Sequence, residues 1–121
     1  MKKLFVLIAL IGFGFSANAQ KTVKLNVVTN VYECFCKGRG ACTALRFDSN
    51  GRISFEDLYN GYPTSKGPNY GKYYIDSENV IRITWDNGLQ ETAQLSYQSD
   101  GRAIVHYNRY TLYEFRTTDC G

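Results

Sequence analysis

Apolar and polar residues alternate with a period of two over most of the chain, most clearly in 71–97, GKYYIDSENVIRITWDNGLQETAQLSY. Ile81, Ile83 and Trp85 recur at every second position, the pattern of a strand with one face buried. Asp86-Asn87-Gly88 follows at once, and Asn87-Gly88 predicts a tight hairpin because both residues tolerate positive φ. The return strand carries Leu89, Ala93, Leu95 and Tyr97 at even spacing. The same alternation predicts strands over 21–32, 43–47, 52–59, 72–75, 80–85, 89–97, 102–107 and 110–116. Asp48-Ser49-Asn50-Gly51, Gln98-Ser99-Asp100-Gly101 and Asn108-Arg109 are turn clusters between them. The segment 60–70, NGYPTSKGPNY, holds both prolines with Gly61 and Gly67 and is predicted as the longest loop. No segment past residue 20 sustains a helical period for three turns. The pattern therefore predicts an all-β domain of about eight short strands, as an up-and-down barrel or a two-sheet sandwich. Few long crossovers and sequential antiparallel pairing favour a small meander β-barrel. The interior of an eight-stranded barrel is just wide enough to be filled by side chains or to hold one small ligand.

The first residues change the picture of where this domain works. Lys2 and Lys3 precede an apolar run over 4–15, and Ala17-Asn18-Ala19 is a small-residue cleavage site. This is the layout of an export signal over 1–19, with the β-barrel domain over 20–121. The apolar run is about 12 residues, short of the ~20 that span a bilayer, so no stable membrane anchor is expected. No cysteine follows the cleavage site, which argues against a lipidated N-terminus. The expected compartment is the periplasm or the extracellular space.

The 121 residues less 19 leave 102, enough for one domain. Of the 14 Lys and Arg, removing Lys2 and Lys3 leaves 12 against 11 acids, a formal charge of +1. That balance gives no electrostatic reason to expect nucleic acid or an anionic membrane as partner. Ten tyrosines are the oddity of the composition. Tyrosine favours strands and also supplies rigid, amphipathic contact area at binding surfaces.

Cys34, Cys36, Cys42 and Cys120 in an exported chain imply two disulfides. Four cysteines permit three connectivities. Cys34–Cys36 is disfavoured because strand residues two apart on one face make poor bridge geometry. The favoured pairing is Cys36–Cys42 across the 37–41 turn, with Cys34–Cys120 tying the ends together. The swap, Cys34–Cys42 with Cys36–Cys120, stands beside it. The thiolates as a soft-metal site are a third reading, disfavoured by the oxidising compartment.

Candidate chemistry is sparse. His106 is the only histidine, inside the strand 102–107, with Tyr107, Tyr110 and Glu114 nearby and no serine elbow. An ordinary strand histidine explains it, and one histidine does not make a conventional zinc centre. Asp48-x-Asn50-Gly51 and Asp86-Asn87-Gly88 resemble fragments of calcium loops but lack the longer ladder of oxygen ligands, so hairpin turns explain both. Glu56 and Asp57 are adjacent on a strand and point to opposite faces, so they cannot act as a pair from one side. Asp57 and Glu91 lie among alternating apolar residues. One reading has them facing inward and marking a polar interior or ligand site with shifted pKa values; the favoured reading is that the register is off by one residue. The favoured binding surface is the Tyr-rich loop with its flanks: Tyr59, Tyr62, Ser65, Lys66, Tyr70 and Tyr73. Long loops on a rigid scaffold are where binding concentrates. The competing reading is that these rings only close one mouth of the barrel.

Two family resemblances follow from particular residues. Gly71-x-Tyr73-x-Ile75, Ile81-x-Ile83-x-Trp85, Asp86-x-Gly88 and the Glu91-Thr92-Ala93 strand resemble the lipocalin-like small barrels of secreted bacterial proteins over about half of the 20–121 segment. Tyr32-Glu33-Cys34, the terminal Cys120, the loop with Ser65 and Lys66, and Trp85-x-x-Gly88 are similar to bacterial inhibitors of C-type lysozyme. Thr64-Ser65-Lys66-Gly67 stands where that family has Ser-Ala-Ser-Gly, and the pair Cys36 and Cys42 is additional. The second resemblance implies that Ser65 and Lys66 enter the enzyme's cleft and hydrogen-bond its acidic pair.

The combined expectation is an exported, non-enzymatic binding protein acting through the 60–70 loop or the barrel mouth. Its partner would be a small apolar ligand, or a secreted protein or glycan. No cofactor or metal is called for, and nothing in the pattern specifies an oligomeric state. The alternative is a proteinaceous inhibitor of a secreted hydrolase, lysozyme first.

Overall fold

The computed structural model of the chain describes residues 20–120. The export signal expected over 1–19 lies outside the described residues. Nine strands form: β1 (Leu25–Val28), β2 (Ala41–Phe47), β3 (Arg52–Tyr59), β4 (Tyr62–Pro63), β5 (Asn69–Ile75), β6 (Val80–Trp85), β7 (Gln90–Tyr97), β8 (Ala103–Tyr107) and β9 (Tyr110–Glu114). Each pairs antiparallel with the next in sequence, except that β5 returns to β3 past the two-residue β4. β1 pairs with both β2 and β9, which closes an eight-stranded meander barrel and leaves β4 as an extra piece beside β3. Closure removes the exposed edges that an open sheet would present.

The alternation seen in the sequence sorts side chains to the two faces. Val27, Leu45, Phe47, Ile53, Tyr73, Ile75, Ile81, Ile83, Ala93, Leu95, Val105 and Leu112 fill the lumen as one cluster. Each large aliphatic side chain so buried contributes about 1.5–3 kcal/mol. One end is sealed. Lys21 bridges Ile75, and the Tyr73 hydroxyl accepts the Val23 N–H at 2.9 Å with the Val23 and Asp48 carbonyls each at 2.7 Å.

Asn60-Gly61 forms a two-residue hairpin between β3 and β4, with positive φ at both residues (55° and 85°). The expected loop is thus shorter than 60–70, because β4 and the first residues of β5 take both of its ends. At Asp86-Asn87-Gly88 only Gly88 has positive φ (93°), and its N–H reaches the Trp85 carbonyl at 2.8 Å. That hairpin is therefore a three-residue turn with a left-handed glycine, not the two-residue form that Asn-Gly predicts.

The predicted strand over 21–32 breaks after Val28, and Tyr32–Cys36 winds as one π-helical turn closed by Lys37 N–H on the Tyr32 carbonyl at 3.0 Å. This corrects the cysteine pairing: the bridges are Cys34–Cys42 and Cys36–Cys120, not Cys36–Cys42 and Cys34–Cys120. Residues two apart share a face in a strand but point to roughly opposite sides of a helical turn. Cys34 therefore faces the outside of the barrel wall, where it is buried with Val28, Cys42, Ala44 and Leu58. Cys36 faces away toward the short 3-10 turn Thr117–Cys120. Phe35 and Phe115 pack against this second cluster with their rings tilted by 48° and centres 4.8 Å apart. All four cysteines are bridged, so none is a thiolate for a metal.

Candidate functional site

The opposite end of the barrel is open. Its rim is built from the C-terminal ends of β3, β6 and β8 and the N-terminal ends of β5, β7 and β9, which antiparallel pairing brings together. At this end the inward positions change from aliphatic to aromatic and acidic. Ile83 pairs with Glu91 and Gly71 with Trp85, so Glu91 and Trp85 both face inward. Thr43 pairs with Asp57, two positions beyond the inward pair Leu45 and Phe55, so Asp57 also faces inward. This corrects the favoured expectation of a register off by one residue: both acids point into the barrel, and Glu56 points out to Arg46 at 2.9 Å.

Glu91 is the centre of the arrangement. Its Oε1 accepts the Trp85 indole N–H at 2.7 Å and also the Tyr107 hydroxyl in a short hydrogen bond. Both rings are almost fully buried, at 7% and 6% exposure, so each brings its polar tip to the one carboxylate oxygen. Burial, with the Glu91 charge beside it, raises the pKa of the Tyr107 hydroxyl, which stays a proton donor well into the alkaline range. Phe55 packs edge-on to Trp85 and Tyr107, with ring centres at 6.5 and 5.8 Å, and leans on Tyr110 at 6.2 Å. Gly71 makes room for the indole: a Cβ there would stand 2.7 Å from the Thr84 carbonyl and 3.0 Å from Trp85 Cε3. Trp85 is accordingly both a core ring and a wall of the site.

These groups line an open cleft of about 520 Å³, together with Tyr70, Leu89, Asn108 and the 86–87 turn. The lumen below is filled by the aliphatic cluster. A second hollow, also about 520 Å³, adjoins across Tyr110 and is lined by Thr43, Asp57, Tyr59 and Thr64. Asp57 there accepts from Thr43 Oγ1 and from Lys66 Nζ, both at 3.1 Å, while the buried Thr64 Oγ1 has no hydrogen-bond partner among the described residues. A hollow on the outer face of β5–β7, edged by Lys72, Arg82 and Thr92, has no comparable ring wall.

Charge separates Glu91 from its peers. Of the carboxylates whose exposure is described, five are buried or partly buried: Glu56, Asp57, Asp76, Glu91 and Glu114. Four have a cation within 4 Å, namely Arg46, Lys66, Arg82 and Arg116 respectively. Glu91 has none among the described residues.

The residues singled out in the sequence divide. Tyr59 and Tyr62 face each other across the Asn60-Gly61 hairpin and are exposed, as are Ser65 and Lys66 on the tight turn that follows. Tyr70 is exposed and lines the cleft. Tyr73 does not join them. It is 4% exposed inside the barrel, with its hydroxyl at the sealed end. His106 is exposed on the outer face of β8, with Nδ1 3.4 Å from Thr111 Oγ1. The sequence reading missed Phe55, Tyr107 and Tyr110, although strand parity puts Phe55 on the Asp57 face and Tyr107 and Tyr110 flank one turn. Searches against family models, curated proteins and solved structures find no match for this chain.

Proposed function

We propose that the chain is an exported binding protein that acts without catalysis and takes a small ligand in the mouth of its barrel. One observation carries the reading: the lumen is filled, and the open end holds a cleft of about 520 Å³ walled by aromatic rings around Glu91, with Asp86 at its edge. Small-molecule sites are concave and largely apolar, with a few fixed polar groups that set orientation. Glu91 is fixed in this way by Trp85 and Tyr107, and its second oxygen has no hydrogen-bond partner among the described residues. The export signal expected over 1–19 and the two disulfides agree with an oxidising compartment. Native mass spectrometry of protein prepared gently from the periplasm tests the reading. A co-purifying small mass, released on unfolding, is expected. A bare polypeptide, still bare after incubation with a whole-cell metabolite extract, would overturn it.

A second reading rests on the tight turn after β4, where Gly67 N–H meets the Thr64 carbonyl at 3.2 Å and Ser65 and Lys66 are presented to solvent. In that reading the turn enters the cleft of a secreted hydrolase such as C-type lysozyme and hydrogen-bonds its acidic pair. Suppressed clearing in a cell-wall lysis assay is its expected result. Full lysis at excess protein would remove it for lysozyme.

A further inference from the structure

We infer that the mouth ligand carries a positive charge: the site is built for an organic ammonium ion, seated on Glu91 beside the rings of Phe55, Trp85, Tyr107 and Tyr110. This rests on the reading of the mouth as the working site and adds the chemical class of what it takes. The first support is the charge pattern. Glu56, Asp57, Asp76 and Glu114, which are also partly or fully buried, each carry their own arginine or lysine, whereas Glu91 is matched only by neutral donors. A half-buried carboxylate without a counter-ion is a standing electrostatic cost that an incoming cation removes.

The second support is the wall. Phe55 stands within 6.5 Å, centre to centre, of Trp85, Tyr107 and Tyr110, and Trp85 stands 6.4 Å from Tyr107, beside that carboxylate. Ring faces attract cations through their quadrupole, and the attraction is largest where water is excluded. The third is the way Glu91 is held. Both donors sit on Oε1, so Oε2 is the atom left for a ligand, and the Trp85 and Tyr107 bonds fix its direction. A neutral apolar ligand would use the rings but leave the charge uncompensated. A metal ion would find only the carboxylates of Glu91 and Asp86, the latter paired with Arg52 at 3.5 Å, and no group of three or more acidic, histidine or cysteine ligands occurs among the described residues.

The chain has a single tryptophan, Trp85, so its fluorescence reports on this site alone. The test titrates the full mature protein with choline and, in parallel, with 3,3-dimethylbutan-1-ol, which has the same shape without the charge. Choline should change the emission saturably and bind at least about tenfold more tightly than the alcohol. Glu91→Gln keeps an oxygen for both donors and should reduce that preference to about twofold or less. Phe55→Leu removes one ring at similar volume without touching Glu91, and should weaken choline several-fold. Should Glu91→Gln fail to fold, the choline-to-alcohol ratio in the unaltered protein and the Phe55→Leu result still decide. Equal affinity for the two probes would overturn the cation inference while leaving a binding protein with a neutral ligand. No response to either probe, alongside a co-purified mass in native mass spectrometry, would overturn it in the same way.

Discussion

Glu91→Ala is the sharpest perturbation of the mouth, because one deletion removes the acceptor of two donors. Trp85 Nε1–H reaches Glu91 Oε1 at 2.7 Å and the Tyr107 hydroxyl donates to the same oxygen, from rings that are 7% and 6% exposed. A buried donor left without a partner costs about 1–3 kcal/mol. The two costs do not simply add here. The vacated volume opens on the mouth, and a water admitted there recovers part of the loss. The expected destabilisation is about 2–3 kcal/mol. Glu91→Gln leaves an amide oxygen in reach of both donors and trades a charged acceptor for a neutral one, at a cost of about 1 kcal/mol. For a domain near 100 residues these correspond to falls in Tm of roughly 10–20 °C and roughly 5 °C. Urea unfolding followed by Trp85 emission, with far-UV circular dichroism as a second probe and the disulfides intact, measures both. The midpoint should move without a change in slope. A Glu91→Ala protein within about 0.5 kcal/mol of the parent would refute the reasoning, since the two donors would then not depend on this carboxylate.

The other expectations concern the frame that holds the mouth. A non-reduced peptide map should contain Cys34–Cys42 and Cys36–Cys120, and breaking the second by paired Cys36→Ser and Cys120→Ser should cost about 4–5 kcal/mol in the loop-closure account, given its separation of 84 residues; an unchanged unfolding midpoint would contradict it. Gly71→Ala should destabilise by about 1–3 kcal/mol, measured by thermal unfolding, because the added Cβ meets the Thr84 carbonyl at 2.7 Å, which is backbone and cannot step aside. Stability should also fall at both extremes of pH. The Tyr107 pKa is raised on folding, chiefly by burial, so its contribution is complete below about pH 10 and is lost above it as the unfolded chain releases its proton first; Tyr107→Phe should flatten that alkaline slope. The Asp76 pKa is lowered, first by the Val80 N–H and then by the Glu78 N–H and Arg82, so its contribution is complete above about pH 4 and is lost below it; Asp76→Asn should flatten the acid limb of the same profile.

The barrel was legible because a period of two survives in every strand that has a filled lumen on one side. Ile81, Ile83 and Trp85, or Ala93 and Leu95, state which face is buried before any partner is known, and turn residues separate the strands at short intervals. Glu91 shares parity with Ala93 and Leu95 and so faces inward, but a carboxylate within an apolar alternation reads more readily as a register off by one residue. Other features depended on the fold as a whole. Phe55, Tyr107 and Tyr110 look like ordinary strand aromatics until closure of the barrel brings β3, β8 and β9 to one rim. Tyr73 lies next to the Tyr-rich loop in sequence, yet parity sends its ring into the barrel and its hydroxyl toward the sealed end. The bridges were misread because Tyr32-Glu33-Cys34-Phe35-Cys36 carries no helical signal. That single turn is held by tertiary contacts, with Cys34 buried against the outside of the wall and Phe35 against Phe115.

The central claim, that the mouth around Glu91 is the working site and takes a cation, is tested most directly by the indole N–H resonance of Trp85. A single tryptophan gives a single indole cross-peak in a proton–nitrogen correlation spectrum, and that N–H is bonded to Glu91. Titration with choline should shift this peak saturably, together with the backbone peaks of Glu91 and Asn108 at the rim, while those of Val23 and Asp48 at the sealed end stay in place. An indole resonance unmoved at choline concentrations that shift peaks elsewhere on the protein would contradict the account.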